Sequence, residues 1–326
     1  MTEPRFPDAE RGAALLSVLL LVAILAVLAA AAVDRLRLAT ALASNVSGQA
    51  QARTYGYAAE ALAMRRIGDL IHQDAARTTL AGDWNGVERR FPIDRGVAAA
   101  TIDDAGNCFN LNSLVMGQAA TGLTARPQAM AQFTRLMVLL GIPANNAGQV
   151  AAAAADWIDS DSAPLPGGAE DDLYLSLKPA YRTANTLMAD MSELRAVAGV
   201  TPEIYTIVRP YVCALPTTDL SPVNVNTISE RQAVLLAMLS PALEPAAAAR
   251  AIAARPTTGW ADITTFRQSP ALAALGDAAG QLQVTSRWFG LKLRVTDGDA
   301  EYEENALIDG ALKPAKLVRR GYGEAT

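Results

Sequence analysis

Arg11-Gly12-Ala13-Ala14-Leu15-Leu16-Ser17 opens the stretch that decides this fold, because behind Gly12 the chain stays apolar without a break from Ala13 to Val33. Those 21 positions hold no charge and a single hydroxyl, Ser17. At ~1.5 Å of rise per residue they make a helix about 30 Å long, the thickness of a bilayer's hydrocarbon core. A cleaved export signal has a shorter apolar region, roughly 7–15 residues, with a small-residue cutting site after it. Here the small residue, Gly12, comes before the run, and Glu3, Asp8 and Glu10 balance or outnumber Arg5 and Arg11 in the leader. The apolar helix therefore stays on the mature chain.

The helix does not stop at the membrane. Asp34 to Asp74 contains no Pro and three Gly, and apolar residues recur at helical spacing: Leu36, Leu38, Leu42 and Val46, then Ala58, Leu62, Ile67 and Ile71. The pattern predicts one helix from about Ala13 to Ala76, closed by the turn-rich Gly82-Asp83-Trp84-Asn85-Gly86. Strands follow at Val87–Ile93 and Val97–Ile102, joined by Asp94-Arg95-Gly96, and strands return only at Leu282–Phe289, Leu291–Asp297, Glu301–Asp309 and Lys316–Gly321. Between them lies an Ala-rich helical block. The economical architecture is α/β: a long N-terminal helix packed on a small antiparallel sheet, with a large all-α domain inserted between strands. Its divisions are a leader, 1–12; a membrane helix, 13–33; the first part of the core, 34–112; the inserted domain, 113–280; and C-terminal strands, 281–326.

Composition narrows the function. The chain has 326 residues, 51% of them hydrophobic, a net charge of −5 and a pI of about 5.1, which offers nucleic acid no electrostatic footprint. Within the block, Val223-Asn224-Val225-Asn226-Thr227 leads into a helical hairpin of the DNA-binding type. Its turn, Leu239-Ser240-Pro241-Ala242-Leu243-Glu244-Pro245, has no Gly, its two prolines remove N–H donors that could hold phosphate, and Glu244 sits where phosphate would approach. A structural hairpin is expected. Two cysteines and one histidine are too few for a Cys/His zinc site. Cys108 and Cys213 either form a disulfide, if the body lies in an oxidising compartment, or remain two buried thiols. No phosphate-cradling loop or catalytic triad can be assembled, and no small-molecule substrate is implied.

The acidic residues are concentrated in Asp156-Trp157-Ile158-Asp159-Ser160-Asp161 and Glu170-Asp171-Asp172, joined by the Pro- and Gly-rich 162–168. Two carboxylates across a cleft could serve a glycosidase, but aromatic residues make up only 6% of the chain, so sugar platforms are scarce. Carboxylates this dense repel unless solvated or bound to a cation. Their spacing on an irregular loop suits a hard cation such as Ca2+, with ~6–8 oxygen ligands. The expected ligands are Asp159, Asp161, Glu170 and Asp171. Asp156 lies a helical turn earlier; Asp172, adjacent to Asp171, and the distant Glu193 are second-rank candidates. A solvated acidic loop is the alternative.

Arg11-Gly12 ahead of Ala13 resembles the signal of type IV pilin-like proteins, in which the leader is cut after Gly. In most of them the fifth mature residue is Glu; counted from Ala13 it is Ser17 here, and the K subunit of the type II secretion pseudopilus typically lacks that Glu. Asn107-Cys108-Phe109-Asn110-Leu111-Asn112, the run from Asp156 to Asp161, Gly168-Ala169-Glu170-Asp171, Ser192-Glu193-Leu194 and Asn224-Val225-Asn226-Thr227 occur in that family's order. The chain resembles the GspK family from residue 11 to about 295. The resemblance implies a minor pseudopilin that caps the pseudopilus tip beside the I, J and H subunits, without enzymatic activity. It implies a single-pass inner-membrane anchor with the C-terminal body in the periplasm, cutting between Gly12 and Ala13 by a prepilin peptidase with N-methylation of Ala13, and bound calcium. A membrane-anchored periplasmic adaptor with a helical protein-binding domain is the competing expectation.

Overall fold

The computed structural model describes residues 8–118 and 120–323; most of the leader, residues 1–7, lies outside the described residues. Helix α1, Asp8–Gln73, is 66 residues long, so it extends about 100 Å at ~1.5 Å per residue. From Gly12 to Ser47 every side chain on it is exposed. Among the described residues it is the single helix long and apolar enough to cross a membrane.

Beyond residue 47 a narrow buried stripe appears at Gly48, Ala52, Gly56, Glu60, Ala63 and Ile67. Of the apolar residues that recur at helical spacing, Ile67 is buried, but Leu36, Leu42, Val46 and Leu62 are exposed. Close approach of helix to sheet selects small side chains on the contact line and leaves the leucines outside.

The sheet that α1 covers has five antiparallel strands in spatial order: β1 (Val87–Ile93), β2 (Gly96–Asp104), β3 (Trp288–Asp297), β4 (Ala300–Asp309) and β5 (Lys316–Tyr322). Inward residues alternate as a half-buried sheet requires. Phe289, Leu291, Leu293 and Val295 of β3, with Ala306 and Ile308 of β4, pack on Ala52, Ala63 and Ile67. The sequence suggests two strands broken near Gly290; the structure has one. A Cβ at Gly290 would stand 2.2 Å from Asp103 Oδ1, so this glycine permits a close approach inside the ladder rather than a turn. Leu282–Gln283 is instead a short parallel partner of Val223–Asn224, away from the sheet.

β2 and β3 are hydrogen-bonded neighbours, with Asp104 opposite Phe289, yet residues 105–287 intervene between them in sequence. That segment carries α2 (Pro127–Leu139), α3 (Ala144–Ile158), α4 (Asp171–Leu175), α5 (Pro202–Val208), α6 (Ala233–Ala237), α7 (Pro245–Ala253) and α8 (Ile263–Phe266). It has its own core, from Phe109 through Phe133, Leu136, Ile158 and Leu236 to Leu282. The alanines 151–155 of α3 are all buried, which lets neighbouring segments close around the helix. The segment is not purely helical: Phe109–Asn110 pairs with Val212–Cys213, and Val115–Gln118 with Gly122–Ala125.

Where the segment leaves and rejoins the sheet, the Asp104 carboxylate accepts from Ser286 Oγ and Thr227 Oγ1, both at 2.5 Å, and from the Gly106 N–H at 2.9 Å. Arg287 pairs with Asp309 at 2.8 Å, and Arg319 donates to the Ala189 carbonyl. Cys108 and Cys213 are bonded, with Cα atoms 5.8 Å apart.

Candidate metal centre

Helix α3 ends at Ile158, and Asp159 caps it in an extended conformation. Ser160 then fastens the chain to the neighbouring hairpin. Its N–H donates to the Leu123 carbonyl at 3.0 Å, and its hydroxyl accepts from the Leu123 N–H at 2.9 Å. Asp161 folds its carboxylate back onto the Ala163 N–H at 2.8 Å, starting the 162–168 loop. Two prolines and two glycines give that loop no ladder of its own. It is held by Asp156, which is fully buried and accepts from Leu165 N–H at 3.2 Å and from Ala169 N–H at 2.7 Å. Gly168 is required there, since a Cβ would lie 1.9 Å from Asp156 Oδ2. The loop therefore returns to deliver Glu170, immediately before α4, beside Asp159.

Asp159, Asp161 and Glu170 each direct an oxygen into one cluster, all within 4.8 Å of one another. Asp159 is 2% exposed and Glu170 5%, and Asp159 Oδ1 and Glu170 Oε1 are buried without a hydrogen-bond donor. Burial raises the Asp159 carboxyl to about 7, with the charges of Asp161, Asp156 and Glu170 adding to the effect. Glu170 is raised by the same desolvation and by Asp156. Two buried carboxylate oxygens with no donor, in a field of like charge, are costly as they stand and are the ligands an oxygen-seeking cation uses.

The other candidates lie elsewhere. Asp171 faces out, with Arg182 Nη1 at 2.5 Å and the Thr183 N–H at 3.0 Å, and the hydrogen bonds from Thr183 hold its carboxyl below the usual range. Consecutive residues at a helix start point in different directions, so Glu170 facing in turns Asp171 out. Asp172 is exposed. Glu193 accepts from Ala189 N–H at 2.7 Å and Asp190 N–H at 3.2 Å, closing a capping box with Asp190. Asp156 holds the loop instead of facing the cluster.

The asparagine motifs also acquire roles that sequence reading missed. Asn112 donates to the Leu215 and Met188 carbonyls and accepts from the Met188 N–H. Asn224 reaches the Thr78 carbonyl and Ser286 Oγ; Asn226 accepts from the Trp260 N–H at 2.6 Å and donates to the Trp260 carbonyl. Each amide stands in for a strand partner between segments far apart in sequence. The only advance signal was the Asn-x-Asn spacing. In the hairpin 239–245, Arg135 donates to the Ala237 and Leu243 carbonyls, tying that turn to α2.

Residues 107–217 match a family model described as Type II secretion system (T2SS), protein K, and residues 223–285 match a second model of that description. The type II secretion system protein K of Klebsiella pneumoniae is 38% identical over 322 residues, covering 96% of this chain and 97% of its own length. Its counterpart from Pectobacterium carotovorum subsp. carotovorum is 35% identical over 322 residues, with the same coverage. The crystal structure of the GspK-GspI-GspJ complex from enterotoxigenic Escherichia coli contains a similar chain, with a TM-score of 0.74 and 32% identity. The match covers 84% of this chain and 96% of that one. With two family models matching across residues 107–285 and relatives above 30% identity over nearly its whole length, the chain belongs to the type II secretion system protein K family and is a minor pseudopilin of that machinery.

Proposed function

We propose that this pseudopilin caps the tip of the periplasmic pseudopilus and helps to start its assembly for export of folded proteins. Ser17 carries the reading. Its hydroxyl donates to the Ala13 carbonyl at 2.9 Å, so the position that holds Glu in most pilin-like subunits is neutral and satisfied within its own helix. An ion inside the bilayer is costly unless paired, and a subunit without a carboxylate there has nothing to offer the N-terminal amine of a subunit above it. It leads the fibre and does not repeat. Crosslinks confined to one end of isolated fibres are expected; regular spacing along the shaft would overturn the tip position.

On the same reading a prepilin peptidase cuts between Gly12 and Ala13, Ala13 is N-methylated, and the helix anchors the chain once in the inner membrane with its body in the periplasm. The Cys108–Cys213 bond suits that oxidising compartment. The partners are the I, J and H subunits; support comes from the relative found with GspI and GspJ. Residues 105–287 act as an inserted domain, wider than 113–280 because Phe109, Leu111 and Leu282 belong to its core.

The cluster of Asp159, Asp161 and Glu170 holds calcium, with backbone carbonyls and water completing the shell. Magnesium demands stricter octahedral geometry and retains its waters, which fits an irregular loop less well. The role is structural, with no catalytic step. Co-purification of the full chain with the I and J subunits tests the assembly reading.

A further inference from the structure

Helix α1 packs mainly across β3 and β4 and reaches β2, while edge strand β1 is covered only at its end, where Ile93 packs near Ala52 and Tyr55. Val87 and Phe91 of β1 sit opposite Ile102 and Ala98, on the face turned toward the helix. Phe91 is nevertheless 46% exposed, and Leu62 across from it on α1 is 62% exposed. With Trp84 and Ile102 they line a groove of about 380 Å3. Arg66 from α1 and Arg89 from β1 stand in the same groove.

Neither arginine pairs with a carboxylate among the described residues, and Arg89 donates to the Asp83 carbonyl at 3.0 Å. In a chain of net charge −5, two such cations beside apolar surface are complementary to an acidic partner. Pro92 and the arginines of β1 oppose an added strand, which leaves insertion of a side chain into the groove as the mode of docking.

We propose that this groove seats the adjoining pseudopilin, which inserts one large apolar side chain beside Leu62 and Phe91 and sets carboxylates against Arg66 and Arg89. The proposal rests on the assembly reading above. Its test titrates the labelled full chain in mild detergent with the full-length I and J subunits. Leu62→Glu, and Arg66→Glu together with Arg89→Glu, are each expected to weaken binding at least about tenfold without changing the melting temperature, since the altered groups are exposed. Lys313→Glu, on the opposite flank of α1, is expected to leave binding unchanged. Unchanged affinity in both groove variants would overturn the groove while leaving the assembly reading intact; absence of wild-type binding would overturn both. Self-association of the wild type that Leu62→Glu abolishes would give the groove to a second copy of this chain, and also overturn the proposal.

Discussion

Chelation of calcium tests the acidic cluster most directly. Binding to the folded state alone adds RT ln(1 + [L]/Kd), about 1.4 kcal/mol at tenfold Kd and about 2.7 kcal/mol at a hundredfold. For a cooperative unit of the size of residues 105–287, each kcal/mol moves the melting temperature by roughly 2–4 °C. A shift of about 3–11 °C between EGTA and millimolar calcium is therefore expected in calorimetry of the detergent-solubilised chain. The pH dependence has a definite sign. Asp159 is raised from 3.8 to about 7 in the fold, so without metal it favours the folded state fully below pH ~4, and that contribution is lost as pH rises through about 7. Melting in EGTA should therefore fall from pH 5 to pH 8, and the gain from calcium should widen over the same window as protons cease to compete. Asp159→Asn should abolish the calcium shift. Asp171→Asn should leave it, because that carboxylate is engaged by Arg182 and Thr183. Equal melting temperatures with calcium and EGTA at both pH values would refute the site, and loss of the shift in Asp171→Asn would refute the geometry assigned to it.

Asp104→Ala strands the hydroxyls of Ser286 and Thr227 at the junction of sheet and inserted segment, and should cost about 2–4 kcal/mol in urea unfolding. Gly56→Val places a Cβ 2.2 Å from the Tyr302 ring; a net loss of about 1–3 kcal/mol is expected despite better helix propensity, and a more stable variant would show that helix and sheet separate readily. Cys213→Ser opens a loop of 105 residues and should lower stability by about 2–4 kcal/mol, with reductant giving the wild type the same loss. Gly12→Val should leave the leader attached in mass spectra of the mature N-terminus, whereas normal cutting would exclude Gly12 as the recognised residue.

By itself the sequence determined the features that depend on local periodicity and composition. The uncharged run from Ala13 to Val33 is long and apolar enough to cross a membrane as a helix, which satisfies its own backbone in hydrocarbon, and the absence of proline to Asp74 carries that helix onward. Alternation marked β1, β2 and β4, and the density of Asp and Glu around 159–171 located the acidic loop. Tertiary structure decided what depends on direction and distance. Which side of α1 faces the sheet was hidden because the contact line is glycine and alanine, while the leucines that suggest a core point outward. Whether Gly290 breaks a strand depended on the carboxylate of Asp103 across the ladder. Spacing set Asp156 a helical turn before Asp159, and the fold spends it on the Leu165 and Ala169 N–H groups; spacing alone could not separate Asp159, Asp161 and Glu170, which converge, from Asp171, turned to Arg182. A carboxylate's role follows from the donors brought to it, and those come from segments that only the fold places beside it.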